Sequence, residues 1–297
     1  MTEDGICCDH REERGGMTLP YHAEKMRCAI FNFGIKAEIA VFVLLTGMAT
    51  AQARELAPHK AIYEMRMLSA ETETQLSDIT GQNQFSLQRE CDGYVASENY
   101  LLEFSYGSGE NAVVVSQFES WEQTDSALYS FSIHEGSNFE PDKKFVGYAQ
   151  RPPQVAEPEA FFSMQPNSAI PLPQSVYFPI AHTKELLDKA AKGEKLFSAD
   201  LFFGAEPDRA IRNTNSVIGK AQTTQNQINM GTLSEPIYYP IQVAYFDPKS
   251  SESVPEFELK FHMQPNGVIS YYEIDYGDFS VDAQLTEIEA LPLPYCS

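Results

Sequence analysis

The sequence has little positive charge and no apolar run long enough to cross a membrane. Its 297 residues include 21 lysines and arginines against 42 aspartates and glutamates, a formal net charge of -21 at pH 7. Such a chain is repelled by nucleic acids and anionic membrane surfaces, so we expect neither as a partner. The apolar run at residues 39–49 has 11 residues, whereas a membrane-spanning helix needs about 20. Hydrophobic residues make up 43% of the chain, which is typical of a globular protein with its own core.

The sequence also lacks the spacings that mark catalytic and metal sites. Four histidines follow residue 54, and none lies in an H-x-H or H-E-x-x-H pattern. They are His59, His134, His182 and His262. The sequence YGSGE around Ser108 does not have the G-x-S-x-G spacing of a hydrolase nucleophile. We predict no catalytic residue, no metal and no cofactor.

Two carboxylates beside the single tryptophan come nearest to a catalytic pair. Glu119 and Glu122 flank Trp121, and paired carboxylates are the machinery of glycosidases. Because acidic residues are abundant in this chain, such pairs arise by chance, and we favour structural roles. The alternatives are a glycosidase-type activity and, for Trp121, the aromatic wall of a pocket for an apolar or sugar ligand.

The first 53 residues have the features of a targeting segment. The apolar run follows basic residues and is followed by small residues, with an A-x-A site at Ala51 and Ala53. We predict that residues 26–53 are a secretory signal peptide cleaved after Ala53, which delivers the protein to the periplasm. Residues 1–25 are polar and mixed in charge, and we interpret them as an extension upstream of a true start at Met26.

Cysteine is scarce after the predicted cleavage site. Three of the five cysteines, at positions 7, 8 and 28, precede it, which leaves Cys91 and Cys296. Two cysteines in an oxidising compartment are expected to pair, so we predict a disulfide that ties the end of the chain to its early strands. The alternative is a cytosolic chain in which Cys7 and Cys8 bind a metal.

After residue 54 the sequence has the pattern of consecutive strands. Apolar and polar residues alternate, for example at residues 257–263, and Asn266-Gly267 is a strong hairpin signal. We count about twelve strands and one helix, with no βα alternation and no internal repeat. The prediction is a mainly β single domain over residues 54–297, an antiparallel barrel, closed or partly open, rather than a sandwich. The proline-rich residues 151–173 are predicted as a loop or edge segment.

The predicted helix lies within residues 181–196. Thr183 is placed as its N-cap and Gly193 as its C-terminal stop. Its apolar stripe consists of Leu186, Leu187, Ala190 and Ala191. A stripe this narrow is typical of a helix that packs on a sheet or plugs into it.

Five segments, in this order, resemble the alphaproteobacterial cell envelope integrity family typified by EipB. They are RELAPHKAIYEMRM from residue 54, CDGY at Cys91, QFESWE from residue 117, HTKELLDKAAKGEKLFSADLF from residue 182 and IDYGDFSVDAQLTEIEALPLPYC ending at Cys296. The resemblance covers residues 56–296, and the order and spacing of the segments carry it. The acidic residues 69–78 depart from the family pattern.

The resemblance implies a periplasmic β-spiral, a broken barrel with one amphipathic helix and one disulfide, here Cys91 to Cys296. It also implies a role in cell envelope integrity with no established enzymatic activity. Two classes of function follow. The first is a non-enzymatic factor that binds an envelope protein partner through open sheet edges. The alternative is a carrier of a lipid or lipoprotein acyl chain in the cavity of the barrel.

Overall fold

A computed structural model describes residues 55–296, apart from residues 140, 152–156, 166–167, 225–227 and 252. The predicted signal peptide, its cleavage site at Ala51 and Ala53, and the interpretation of residues 1–25 all fall outside the described residues.

Strands dominate the described part of the chain. The N-terminal arm contains β1 (His59–Ala70), β2 (Leu76–Arg89), β3 (Gly93–Tyr106), β4 (Asn111–Gln123), β5 (Leu128–Ser137), β6 (Lys143–Gln150), β7 (Glu159–Phe162) and β8 (Ile170–Pro171). The helix α1 (Pro179–Lys192) follows. The C-terminal arm contains β9 (Leu196–Phe202), β10 (Ile211–Ile218), β11 (Gln222–Thr223), β12 (Ile237–Phe246), β13 (Phe257–Met263), β14 (Ile269–Asp275) and β15 (Phe279–Ala290). Short 3₁₀ turns cover Thr72–Thr74 and Gly231–Leu233.

These strands form one antiparallel sheet of 15 strands. Its order is β8-β7-β6-β5-β4-β3-β2-β1-β15-β14-β13-β12-β10-β9, and β11 pairs with β12 beside this path. The first and last strands of the chain, β1 and β15, are therefore neighbours in the middle of the sheet. The end strands β8 and β9 do not pair with each other in the described part, so the sheet is open. The predicted mainly β, antiparallel, partly open barrel is confirmed.

The predicted count of about twelve strands was too low. The additional strands are β7, β8 and β11, which have 4, 2 and 2 residues. Such short strands carry too few alternating positions to be distinguished from loops. Two of them, β7 and β8, lie in the proline-rich segment and form one edge of the sheet, which is where that segment was predicted. The acidic segment after β1 includes the 3₁₀ turn that leads into β2.

The start of α1 was predicted wrongly. The helix begins at Pro179, and Phe178 occupies the N-cap position without a side-chain cap of its own. Thr183 lies one turn inside, where its hydroxyl donates to the carbonyl oxygen of Pro179 at 2.9 Å. Proline suits the first helical position because its fixed φ is helical and the missing N–H has no intrahelical partner there. Gly193 ends the helix in the left-handed conformation (φ 74°), as predicted.

The buried face of α1 differs from the predicted stripe at one position. Leu186, Leu187 and Ala190 are buried as expected. Ala191 is exposed, and His182 occupies the buried face instead. The helix therefore packs on the sheet, as its narrow stripe predicted. Among the described residues, no helix has the length and apolar character needed to span a membrane.

The sheet is strongly curved and encloses two apolar cores. The Asn83 side chain on β2 donates to the Tyr272 hydroxyl on β14 at 2.7 Å, although β1 and β15 lie between these strands. The larger core joins α1 to the central strands and the C-terminal arm. The smaller core is rich in aromatic residues and joins β5, β6 and β7 to Phe178 and Phe202.

Candidate functional site on the inner face of the sheet

The inner face of β3 runs from a packed end, under α1, to an open end. Every second side chain of a strand faces the same side. On β3 the inner residues are Tyr94, Ala96, Glu98, Tyr100, Leu102 and Phe104. Tyr94, nearest to α1, is only 1% exposed, whereas the five that follow are half-buried. Inner apolar side chains at the open end thus border solvent instead of being covered.

Glu98 lies among aromatic side chains on this inner face. Its partners on the neighbouring strands are Phe85 on β2 and Phe118 on β4. Phe85 packs against the larger core and Phe118 against the smaller one, so Glu98 sits where the two cores meet. The Tyr100 hydroxyl donates to Glu98 Oε2 at 3.1 Å. Burial raises the pKa of Glu98, and this hydrogen bond opposes the rise.

Five tyrosines have a raised pKa to which the negative charge of Glu98 contributes. Burial is the main cause of the rise in each of them. They are Tyr63, Tyr100, Tyr129, Tyr245 and Tyr272. These tyrosines lie on five different strands, so the curved sheet brings residues from both arms near Glu98.

Asn83 adds a second polar group to this interior. It is 2% exposed, and its Nδ2 donates to the Tyr272 hydroxyl. Its Oδ1 has no hydrogen-bond donor among the described residues. The Tyr272 hydroxyl in turn contacts Met65 Sδ at 3.8 Å. The unpaired Asn83 oxygen shows that the described interior is short of hydrogen-bond donors. A buried acceptor without a donor costs about 1–3 kcal/mol.

A second inner carboxylate, Glu122 on β4, has ample donors because it caps the helix. It is 1% exposed. The backbone N–H groups of Ile180 and Ala181 donate to its carboxylate at 2.7 and 2.9 Å, and the Ser126 hydroxyl donates at 3.2 Å. Burial raises the pKa of Glu122 to about 7, against the effect of these hydrogen bonds. Glu122 therefore supplies the cap that the residues before α1 do not.

Tyr94 connects the packed end to the turn between β2 and β3. Its hydroxyl donates to the Glu55 carboxylate. The Lys184 ammonium lies 4.5 Å and the Arg89 guanidinium carbon 4.7 Å from the centroid of its ring. Arg89 also donates to the carbonyl oxygen of Gly93 at 2.8 Å. The cations at this end are thus already engaged with an aromatic ring and a carboxylate.

The disulfide lies at the same end. Cys91, in the turn between β2 and β3, is bonded to Cys296, with 5.5 Å between the Cα atoms. The link joins residues 205 positions apart and holds the segment after β15 against the turn. The packed end is therefore closed by a covalent bond as well as by α1.

The four histidines in the described part of the chain do not form a site. No group of three or more His, Cys, Asp or Glu among the described residues is arranged to hold a metal. His182 is buried and stacks on Phe197, and burial lowers its pKa to about 4. His59 is also buried. His134 is hydrogen-bonded to Asp142 near the surface. His262 lies against tyrosine rings on β13, far from β5 in the strand order.

The other chemical candidates are also separated. Glu119 is exposed on the outer face of β4, whereas Glu122 is buried on the inner face, so the two carboxylates do not flank a common space. Trp121 lies on the outer face and donates to a Glu90 carboxylate oxygen at 3.0 Å, rather than lining the interior. Ser108 lies in the turn between β3 and β4.

Glu98 was not among the residues predicted from the sequence. The signal was present, because Glu98 occupies an inner position in the alternating pattern of β3, between Ala96 and Tyr100. A glutamate at an apolar position of a strand is unusual, since charged residues are rarely buried without a partner.

Comparisons with known proteins agree on one family. The EipB-like family model matches residues 50–292. A relative, the cell envelope integrity protein EipB of Brucella abortus (strain 2308), is 26% identical over 245 residues, which cover 81% of this chain and 86% of the relative. A crystal structure described as a β-barrel-like protein of a domain of unknown function, also from Brucella abortus, matches with a TM-score of 0.75 and 25% identity. That match covers 81% of this chain and 100% of the other.

Proposed function

Because this chain belongs to the EipB-like family, we propose that it helps to maintain the integrity of the cell envelope and does so in the periplasm. The name of the Brucella relative supports the role. The disulfide supports the compartment, since disulfides persist where the surroundings are oxidising. Fractionation of cells that produce the protein tests the location, and a cytosolic protein would contradict it.

Within that role, the function that the geometry supports best is holding the apolar chain of a lipid or lipoprotein on the inner face of the sheet. One observation carries this proposal: half-buried apolar side chains from both arms line the open end of the interior. They are Leu102, Phe104, Tyr245, Leu259, Ile274 and Phe279. Covering them removes apolar surface from water, which gains about 25 cal/mol per Å².

Neighbouring leucines on β3 provide the test. Leu102 faces the interior, whereas Leu101 is 54% exposed on the outer face. We expect lipid to co-purify with the wild-type protein and with Leu101→Asp, and to be lost from Leu102→Asp. Mass spectrometry of organic extracts measures the lipid, and circular dichroism checks that both variants keep their strands. Protein that is free of lipid in all three samples would contradict the proposal.

A second candidate function is the binding of an envelope protein partner at the β9 edge of the sheet. Among the described residues, Tyr177 pairs with one end of β9, where its N–H donates to the carbonyl oxygen of Asp200 and its carbonyl oxygen accepts from the N–H of Phe202. The other end carries Leu196, which is 72% exposed. An uncovered strand edge is a template for a further strand. Pull-down from periplasmic extract is expected to capture a partner with the wild type and to lose it with Leu196→Lys.

A further inference from the structure

We propose that the inner face selects apolar molecules that carry an ammonium group, and that Glu98 is the anionic partner of that group. The inference rests on the proposed function, in which the inner face holds an apolar chain. It adds the charge and chemical class of the head group, which neither the family nor the name of the relative indicates.

The first argument is the unbalanced charge of Glu98. The Tyr100 hydroxyl donates to its carboxylate, and no described cation lies within ion-pair distance of it. Removing a charge from water without a partner is costly, and burial accordingly raises the pKa of this group. A bound ammonium would supply both the missing charge and further N–H donors.

The second argument is the aromatic surroundings of the carboxylate. Phe85 and Phe118 flank Glu98 on the two neighbouring strands, and Tyr100 is the next inner residue of β3. Side chains directly opposite each other in such ladders have Cβ atoms about 5 Å apart. Aromatic faces attract cations, and cages of this kind recognise quaternary ammonium ligands. The same surroundings offer nothing comparable to an anion.

The third argument is the shortage of donors around Glu98. Three of the tyrosine hydroxyls already donate elsewhere: Tyr63 to the Ile269 carbonyl oxygen, Tyr129 to the Phe203 carbonyl oxygen and Tyr272 to Met65 Sδ. Asn83 Oδ1 remains buried without a donor among the described residues. A complementary ligand therefore brings donors, which an ammonium group does and a carboxylate or phosphate does not.

The fourth argument is the position of the cations at the packed end. Lys184 and Arg89 contact Tyr94 at the packed end, and both interact with Glu55. They are therefore committed to a carboxylate of the chain itself. An anionic head group at the open end would instead meet Glu98 and a chain of formal net charge -21. The occupant that fits is an amphiphile with an ammonium head.

The experiment compares matched amphiphiles by isothermal titration calorimetry, each below its solubility limit and, for the ionic probes, below its micelle concentration. The probes are decylammonium, decanol and decanoate, and the protein is the purified chain as wild type, Glu98→Gln and Glu119→Gln. We expect the wild type to bind decylammonium most tightly. Glu98→Gln should weaken that binding roughly tenfold, the ratio expected for one lost charge-assisted contact, and should leave decanol within about twofold. Glu119→Gln is the matched control, because Glu119 lies exposed on the outer face of the next strand.

Each of the other possible results of this titration would overturn one specific claim. Equal binding of the cationic and neutral probes, or an unchanged affinity in Glu98→Gln, overturns the assignment of Glu98 and leaves the apolar site standing. Preference for decanoate overturns the choice of head group. Failure of all three probes to bind the wild type overturns the proposed function together with the inference. Phe118→Leu keeps the proposal testable if Glu98→Gln does not fold, since it should weaken only the cationic probe.

Discussion

The inner face contains two glutamates, Glu122 at its packed end and Glu98 where the two cores meet, and the chain supplies them with different numbers of hydrogen-bond donors. Glu122 accepts from two backbone N–H groups of α1 and from Ser126. Glu98, one strand away, has a single described donor in Tyr100. The packed end also has the disulfide and the cations around Tyr94. The open end has half-buried apolar side chains instead.

This difference indicates that one glutamate stabilises the fold and the other is available to a ligand. A carboxylate whose acceptors are filled by the chain itself is a structural element, because its removal leaves donors unpaired. A carboxylate that lacks partners destabilises the folded state, and such groups are concentrated at sites that bind a ligand. Truncation of Glu122 is therefore expected to lower stability, whereas neutralisation of Glu98 is expected to raise it.

The largest effect is expected from breaking the covalent closure of the packed end. Cys91→Ser should lower the free energy of unfolding by about 2–4 kcal/mol, since the link constrains the unfolded chain. Cys296→Ser and the double variant should match it, because each removes the same bond. Urea denaturation measures the loss. Two reactive thiols in unreduced, unfolded wild-type protein would show that the bond is absent.

The pH dependence of stability isolates Glu122. Its pKa is about 7 in the folded protein against an ordinary 4.5, so the folded state binds more protons in this window and stability falls as pH rises through it. The pKa of His182 is lowered from 6.5 to about 4, so the contribution of His182 to the free energy of unfolding rises with pH. This rise offsets the fall caused by Glu122 over the range that the two groups share. In Glu122→Gln only the rise remains, so the free energy of unfolding should increase more steeply with pH than in the wild type. The difference between the two curves should approach about 3 kcal/mol across the window, and superimposable curves would contradict the assignment.

Removal of the helix cap should have a somewhat smaller effect. Near pH 5, where the Glu122 carboxyl is largely protonated, Glu122→Ala should cost about 2 kcal/mol, because Ile180 and Ala181 lose their acceptor. Glu119→Ala, on the exposed face of the same strand, is the control and should stay within about 0.5 kcal/mol of the wild type. Equal losses in both variants would mean that the strand, rather than the cap, is affected.

The smallest effect is expected at Glu98, with the opposite sign. Glu98→Gln should raise the free energy of unfolding at neutral pH by about 1 kcal/mol, because it removes a poorly paired charge and keeps an acceptor for Tyr100. Urea denaturation of ligand-free protein measures the change. A loss of stability would show that Glu98 has a stabilising partner and would remove the contrast between the two glutamates.

The sequence predicted those turns and helix ends that depend on residues close together in the chain. The hairpin at Asn266-Gly267 joins β13 to β14, and Gly267 adopts the positive φ of 88° that the turn requires. Gly193 ends α1 for the same reason. The start of α1 was wrong because its cap, Glu122, comes from a strand 58 residues before Ile180. No local pattern encodes such a contact.

The role of Glu98 depends on long-range geometry as well. Alternation places it on one face of β3, but only the register with Phe85 and Phe118 and the curvature of the sheet place that face in the interior. The tyrosines whose pKa the charge of Glu98 raises come from strands at both ends of the sequence. The sequence shows the alternation of inner and outer residues on β3, but it does not show how the sheet curves around them. Glu98 therefore cannot be distinguished by sequence from the other aspartates and glutamates, which number 42 with it.

The pairing of β1 with β15 sets the order in which the protein can be completed. His59 pairs with Ala290, so the ladder in the middle of the sheet joins the first strand to the last. During synthesis the N-terminal arm emerges with β1 as an unpaired edge, and it keeps that edge until β15 arrives. Contacts this distant in sequence close late and slowly. A chain that ends before Phe279 therefore loses the junction between its two arms rather than a peripheral strand, and truncation divides the protein instead of shortening it.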